Sequence, residues 1–163
     1  MQKLHFSIQI KAKKKRVWNV MLGDATYRER ALSTHLVHGY FIGDWSEGSK
    51  MLFLSPHYTG PEESGWVSRV NKNRKYEFIS IEHIGTISDG KEDTTNEDVK
   101  LYLPTFQNYT FLDKDGGTEV LIDIEIPDDK IMHGLSLLGG YKTGLEENWP
   151  KELKALKLLA ERV

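Results

Sequence analysis

The sequence has no cysteine, which removes disulfides, thiolate catalysis and thiolate metal ligation together. It has no excess of charge of either sign: 22 Lys and Arg against 24 Asp and Glu give a formal net charge of -2. No overall field therefore draws the chain to nucleic acid or anionic lipid. No run approaches the roughly 20 apolar residues of a membrane span. The opening Met1-Gln2-Lys3-Leu4-His5-Phe6 lacks the apolar core of a signal peptide. A reducing compartment suits a cysteine-free chain, so the expectation is a soluble, cytoplasmic protein. Repeats and low-complexity tracts are also missing, and 163 residues suffice for a single core. The reading is one domain over residues 1–163.

Several chemistries lack their motifs. There is no Gly-x-Ser-x-Gly elbow around any serine. Gly134 and Gly139 have phosphate-loop spacing, but Gly140 stands where lysine belongs. The stretch Asp113-Lys114-Asp115-Gly116-Gly117 starts like a calcium loop, lacks its later acidic ligands, and reads as a hairpin turn. Of six histidines only His35 and His38 are close, with no further ligands beside them. No catalytic residue, cofactor or metal ligand is assigned. Asn108-Tyr109-Thr110 matches a glycosylation sequon, without consequence in a protein that is not secreted.

What is present is periodic. Leu4, Phe6, Ile8 and Ile10 alternate with polar residues, the pattern of a strand with one buried face. Val17, Trp18, Met21 and Leu22 have helical spacing, and Gly23-Asp24 separates them from a second short helix. From Gly39 to Ile126 short β-type runs alternate with turns, including Asn71-Lys72-Asn73. Val120, Ile122, Ile124 and Ile126 share one face, so the sheet has a dry side. The acidic stretch from Asp89 to Asp98 reads as a solvated loop. The glycines between Asp128 and Gly144 argue against a long helix there. A terminal helix is expected after an Asn148 cap, with Pro150 in its first turn. Its stripe of Trp149, Leu153, Leu156, Ala160 and Val163 needs the dry sheet face as cover.

Two features invite function. Lys11-Ala12-Lys13-Lys14-Lys15-Arg16 is a dense basic run, usually a solvated helix start but able to meet an acidic partner. Trp18, Trp45, Trp66 and Trp149 come from separate elements, joined by Phe53, Phe78, Tyr109 and Phe111 on strands. Such residues fill cores and also line apolar cavities. Between Tyr76 and Ile87, Ile79, Ile81 and His83 share a face; pointing inward, His83 would be a polar anchor or a proton carrier.

The order of strand, two short helices, six antiparallel strands and long terminal helix resembles the helix-grip fold of the START-like (SRPBCC) superfamily, an α+β class. Lys15-Arg16-Val17-Trp18, Gly43-Asp44-Trp45-Ser46-Glu47-Gly48-Ser49-Lys50, Glu77-Phe78-Ile79-Ser80-Ile81-Glu82-His83 and Asn108-Tyr109-Thr110-Phe111 carry the likeness. So do Gly116-Gly117-Thr118 and Asn148-Trp149-Pro150-Lys151, all closest to the branch of the activator of the heat-shock-protein-90 ATPase. The resemblance implies a curved sheet wrapped on the last helix, with a cavity for a lipid, sterol, polyketide or aromatic metabolite. Its wall would draw on Trp18, Trp45, Met51, Phe53, Trp66 and Ile81, on His83, Tyr109, Phe111 and Ile124, and on Tyr141, Trp149 and Leu153. A small apolar ligand is the leading expectation, with no catalysis. A chaperone or other protein partner is the second and a polyketide-cyclase-like activity the third; the protein would be a monomer or homodimer.

Overall fold

Apolar and polar residues alternate through β1 (Gln2–Ile10), and helical spacing takes over in α1 (Lys14–Leu22) and α2 (Asp24–Leu32). There follow β2 (Tyr40–Ile42), β3 (Lys50–Pro56), β4 (Glu63–Arg74), β5 (Phe78–Ser88) and β6 (Lys91–Asp93). The short α3 (Glu97–Lys100) leads to β7 (Thr105–Lys114) and β8 (Gly117–Ile126). A small hairpin of β9 (Ile131–Met132) and β10 (Leu135–Ser136) then precedes α4 (Gly139–Glu161). This computed structural model describes residues 1–34, 38–56 and 63–162. His35 and Val163, which figure in the sequence reading, lie outside them.

All pairings are antiparallel, and the main sheet runs in the order β1-β8-β7-β5-β4-β3-β2, with β6 beside β5. The β1–β8 register sets Leu4 opposite Ile124, Phe6 opposite Ile122 and Ile8 opposite Val120, merging two apolar rows distant in sequence. Val120, Ile122, Ile124 and Ile126 are fully buried; each contributes about 1.5–3 kcal/mol relative to an exposed side chain. The curved sheet grips α4 together with α1 and α2, in the α+β helix-grip arrangement. Among the described residues no helix is long and apolar enough to cross a membrane.

Several sequence expectations need correction. Asn71 to Asn73 make no turn: β4 continues to Arg74, and the chain reverses at residues 75–77, where Tyr76 takes a φ of 69°. Asn71 is instead the extra residue of a bulge, between Val70 opposite Ile81 and Lys72 opposite Ser80. The acidic stretch contains β6 and the start of α3, the latter capped by Asn96, whose side chain accepts from the Asp98 amide at 2.8 Å. The Asp115-Gly116 hairpin is present, with φ of 52° and 78° suited to a two-residue turn.

The largest correction concerns α4. It begins at Gly139, includes Gly140 and Gly144, and carries Pro150 in its interior, so Asn148 is not its cap. Tertiary contacts override glycine's weak propensity. Asp129 accepts from the Leu138 amide at 2.9 Å and from the Ser136 hydroxyl, while Ser136 accepts from the Gly139 amide at 2.8 Å. These bonds hold a carboxylate at the helix N-terminus, where the peptide dipoles favour it; they lower the Asp129 pKa, the Ser136 bond most. Tyr141 and Leu145 then continue the Trp149 stripe at four-residue spacing, and both pack on the core.

An interior proline leaves the Glu146 carbonyl without its helical donor. Pro150 is exposed, so Pro150→Ala restores that bond without disturbing the core. Urea unfolding should show the variant more stable, by about 1–3 kcal/mol.

Candidate functional site

The inner face is not filled along its whole length. At one end α1 plugs it: Trp18 meets Phe111 edge-on with ring centres 5.1 Å apart, and Tyr76 at 6.1 Å. At the other end a cavity of about 630 Å³ lies between β3, β4, β5 and β7 on one side and α4 with the α1–α2 corner on the other. Small-molecule sites occupy roughly 300–1,000 Å³.

Trp45, Phe53, Trp66, His83, Tyr109, Tyr141 and Trp149 line the cavity. Trp18, Met51, Ile81, Phe111, Ile124 and Leu153 do not; they lie buried in the packed core. Identical alternation produces both groups, because which end of the sheet α1 covers is a tertiary matter.

A bulge decides what faces the cavity along β5. Val67 pairs with Gly85 and Ser68 with His83, leaving Ile84 as the extra residue. Before it the odd positions Ile79, Ile81 and His83 point inward; after it Thr86, Ile87 and Ser88 all reach the cavity wall. Ile87 joins Leu54 and Val67 in a small separate cluster.

Trp45 is aimed by its loop. It adopts a φ of 63°, in a region non-glycine residues rarely occupy. Its indole N–H donates to the Leu22 carbonyl at 3.0 Å and its own carbonyl accepts from Asn73 at 2.8 Å. Asp44 closes the turn by accepting from the Ser46 amide and hydroxyl. From Trp45 an aromatic wall continues through Phe53 at 5.6 Å to His83, 6.3 Å from Phe53. Trp66 stacks on His83 at 4.7 Å with planes 9° apart, and Tyr141 packs 5.9 Å from Trp66. Across the cavity Trp149 lies 5.6 Å from Tyr109.

His83 is 5 % exposed and bonded at both ring nitrogens. Ser68 Oγ lies 2.6 Å from Nδ1 and Gln107 Nε2 lies 3.3 Å from Nε2. The Tyr109 hydroxyl donates to Gln107 Oε1 at 2.6 Å. Burial pushes the His83 pKa from its ordinary 6.5 down to about 3, so the ring is neutral at pH 7. Burial also raises Tyr27 and Tyr141 to about 12, and Tyr109 as well, keeping their phenols protonated.

Among the described residues one ion pair stands in the wall and joins α2 to α4: Arg30 Nε donates to Glu152 at 3.1 Å, both residues under 10 % exposed. Arg30 also donates to the Met21 carbonyl at 3.3 Å and lies over the Tyr27 ring, 5.0 Å from its centre. These contacts compensate the desolvation of two charges.

Sequence reasoning missed Gln107, Ser68, Arg30 and Glu152. Gln107 was within reach, since it alternates with Tyr109 and Phe111, and Glu152 follows Trp149 by three positions on the same helix face. Arg30 gave no signal, because an arginine near a helix end normally faces water.

No family model matches the sequence, and no curated protein matches it significantly. Solved structures do resemble it. A Mesorhizobium loti protein is 12% identical with a TM-score of 0.72, covering 99% of this chain and 98% of its own. A Mycobacterium smegmatis protein is 13% identical with a TM-score of 0.72, over 96% and 89%. A Chromobacterium violaceum protein is 16% identical with a TM-score of 0.63, over the full length of both chains. At such identities the likeness establishes the fold alone.

His83 generates a pH dependence. Unfolded, it binds its proton near pH 6.5; folded, only near 3. Between these values the unfolded state carries more protons, so stability is complete above about pH 6.5 and declines as pH falls. The slope from this group is roughly 1.4 kcal/mol per pH unit. Urea unfolding of His83→Gln should show a pH slope shallower than wild type by about that amount between about pH 4.5 and 6.

Proposed function

We propose that the protein binds a small, uncharged, largely apolar molecule in the cavity between the sheet and α4. The observation that carries this reading is the void itself, about 630 Å³ walled by Trp45, Phe53, Trp66, Tyr141 and Trp149. A wall of this kind suits a flat or ring-containing guest. Neutrality follows from the electrostatics: the Arg30 charge is matched by Glu152, His83 is neutral, and the tyrosines stay protonated. An ionised ligand would lose its hydration without a counter-charge. The START-like resemblance of the sequence supports the same class of guest.

The other two readings have less support. Within the basic run, Lys14 pairs with Glu77 at 2.6 Å and Asp113 at 3.4 Å. Arg16 donates to the carbonyls of Ala160 and Arg162, each at 2.6 Å. These cations hold the fold together, which weakens the motive for a chaperone-binding patch. A cyclase-like reaction needs a proton carrier whose pKa lies near working pH. His83, held near 3 with both nitrogens bonded, is poorly suited to that task.

Two fluorophores of one skeleton test the proposal. Neutral N-phenylnaphthylamine should bind with a rise in fluorescence, and its sulfonated relative anilinonaphthalenesulfonate at least about tenfold more weakly. Gly144→Phe places a ring in the cavity from a helix position with open space around it, so it should abolish the signal while leaving far-UV dichroism unchanged. Absence of any saturable signal from the wild type sinks the reading.

A further inference from the structure

Ser68, His83, Gln107 and Tyr109 form a continuous hydrogen-bond chain along the cavity wall, with links of 2.6, 3.3 and 2.6 Å. Its members are two hydroxyls, a neutral imidazole and a primary amide, each able to donate and to accept. The chain therefore has two complete senses. In the first, the Tyr109 hydroxyl donates to Gln107 Oε1, the amide N–H donates to His83 Nε2, and His83 Nδ1–H donates to Ser68. The phenolic oxygen then keeps a lone pair for the cavity.

In the second sense the Gln107 amide is turned over. Its N–H donates to the Tyr109 oxygen, its carbonyl accepts from His83 Nε2–H, and His83 Nδ1 accepts from the Ser68 hydroxyl. The phenolic hydrogen is released toward the cavity. The imidazole loses a proton at Nδ1 and gains one at Nε2, exchanged with solvent, so the net proton count is unchanged. Either sense preserves all three links. The rest of the wall holds each member in place: Trp66 lies flat on His83, Trp149 lies against Tyr109, and Ser68 is fully buried.

We infer that this chain is a reversible polar anchor, and that the ligand is an apolar molecule bearing a single carbonyl or hydroxyl group, to which the chain matches its sense. A carbonyl selects the second sense, in which Tyr109 donates to the ligand; a group offering only a hydrogen selects the first, in which Tyr109 accepts from it. The inference rests on the proposed ligand-binding role and adds the chemistry of the guest's polar group.

The His83 tautomer reports the sense directly. Long-range proton–nitrogen NMR of the full chain, with the His83→Gln variant identifying the His83 signals, distinguishes Nδ1–H from Nε2–H. Saturation with acetylnaphthalene, which only accepts, should give the Nε2–H form. Saturation with N-phenylnaphthylamine, which offers an N–H, should give the Nδ1–H form. Tyr109→Phe should weaken acetylnaphthalene about tenfold, the loss of one hydrogen bond. If both probes bind and leave His83 in one and the same tautomer, the reversible anchor is overturned while the ligand-binding role stands. If neither probe binds, both are overturned.

Discussion

The pairing of β1 with β8 is the constraint on which the rest depends. It joins the start of the chain to the last long strand in a register that puts both apolar rows on one face. A slip of one residue would turn either row toward water. Once that face exists, something must cover it. α1 follows β1 through a short connection and reaches only part of it, so α4 must cover the remainder from the other end of the chain.

That division of labour explains why one sheet holds both a packed core and a void. Where α1 and α4 both press on the sheet, Trp18, Phe111 and the β8 isoleucines leave no space. Past Trp18, where only the end of α1 reaches, much of the wall is rings propped against one another that leave the middle empty. The imidazole of His83 and the guanidinium of Arg30 both have bonded neighbours, as burial requires: either one alone here would be strongly destabilising.

Much of this was legible in the sequence. The periods of β1, β8 and α1 and the Asp-Gly hairpin were readable because each is a local pattern, and the order of elements indicated the grip. The start of α4 was not, because its glycines argue against helix and the bonds that override them come from Asp129 and Ser136. The bulge at Ile84 was equally hidden, since an extra residue leaves no mark on composition. In the site, the aromatic residues announced themselves, whereas Arg30 and Glu152 looked like solvated charges and become wall residues only by finding one another.

The bonds from Arg16 to the carbonyls of Ala160 and Arg162 tie the end of α4 to α1. Its start is tied by different groups: Asp129 and Ser136 hold the Leu138 and Gly139 amides, and the Tyr141 hydroxyl donates to Thr105 at 3.1 Å. The stretch from Tyr141 to Glu152 that walls the cavity therefore lies between two fixed ends, as a beam rests on two supports.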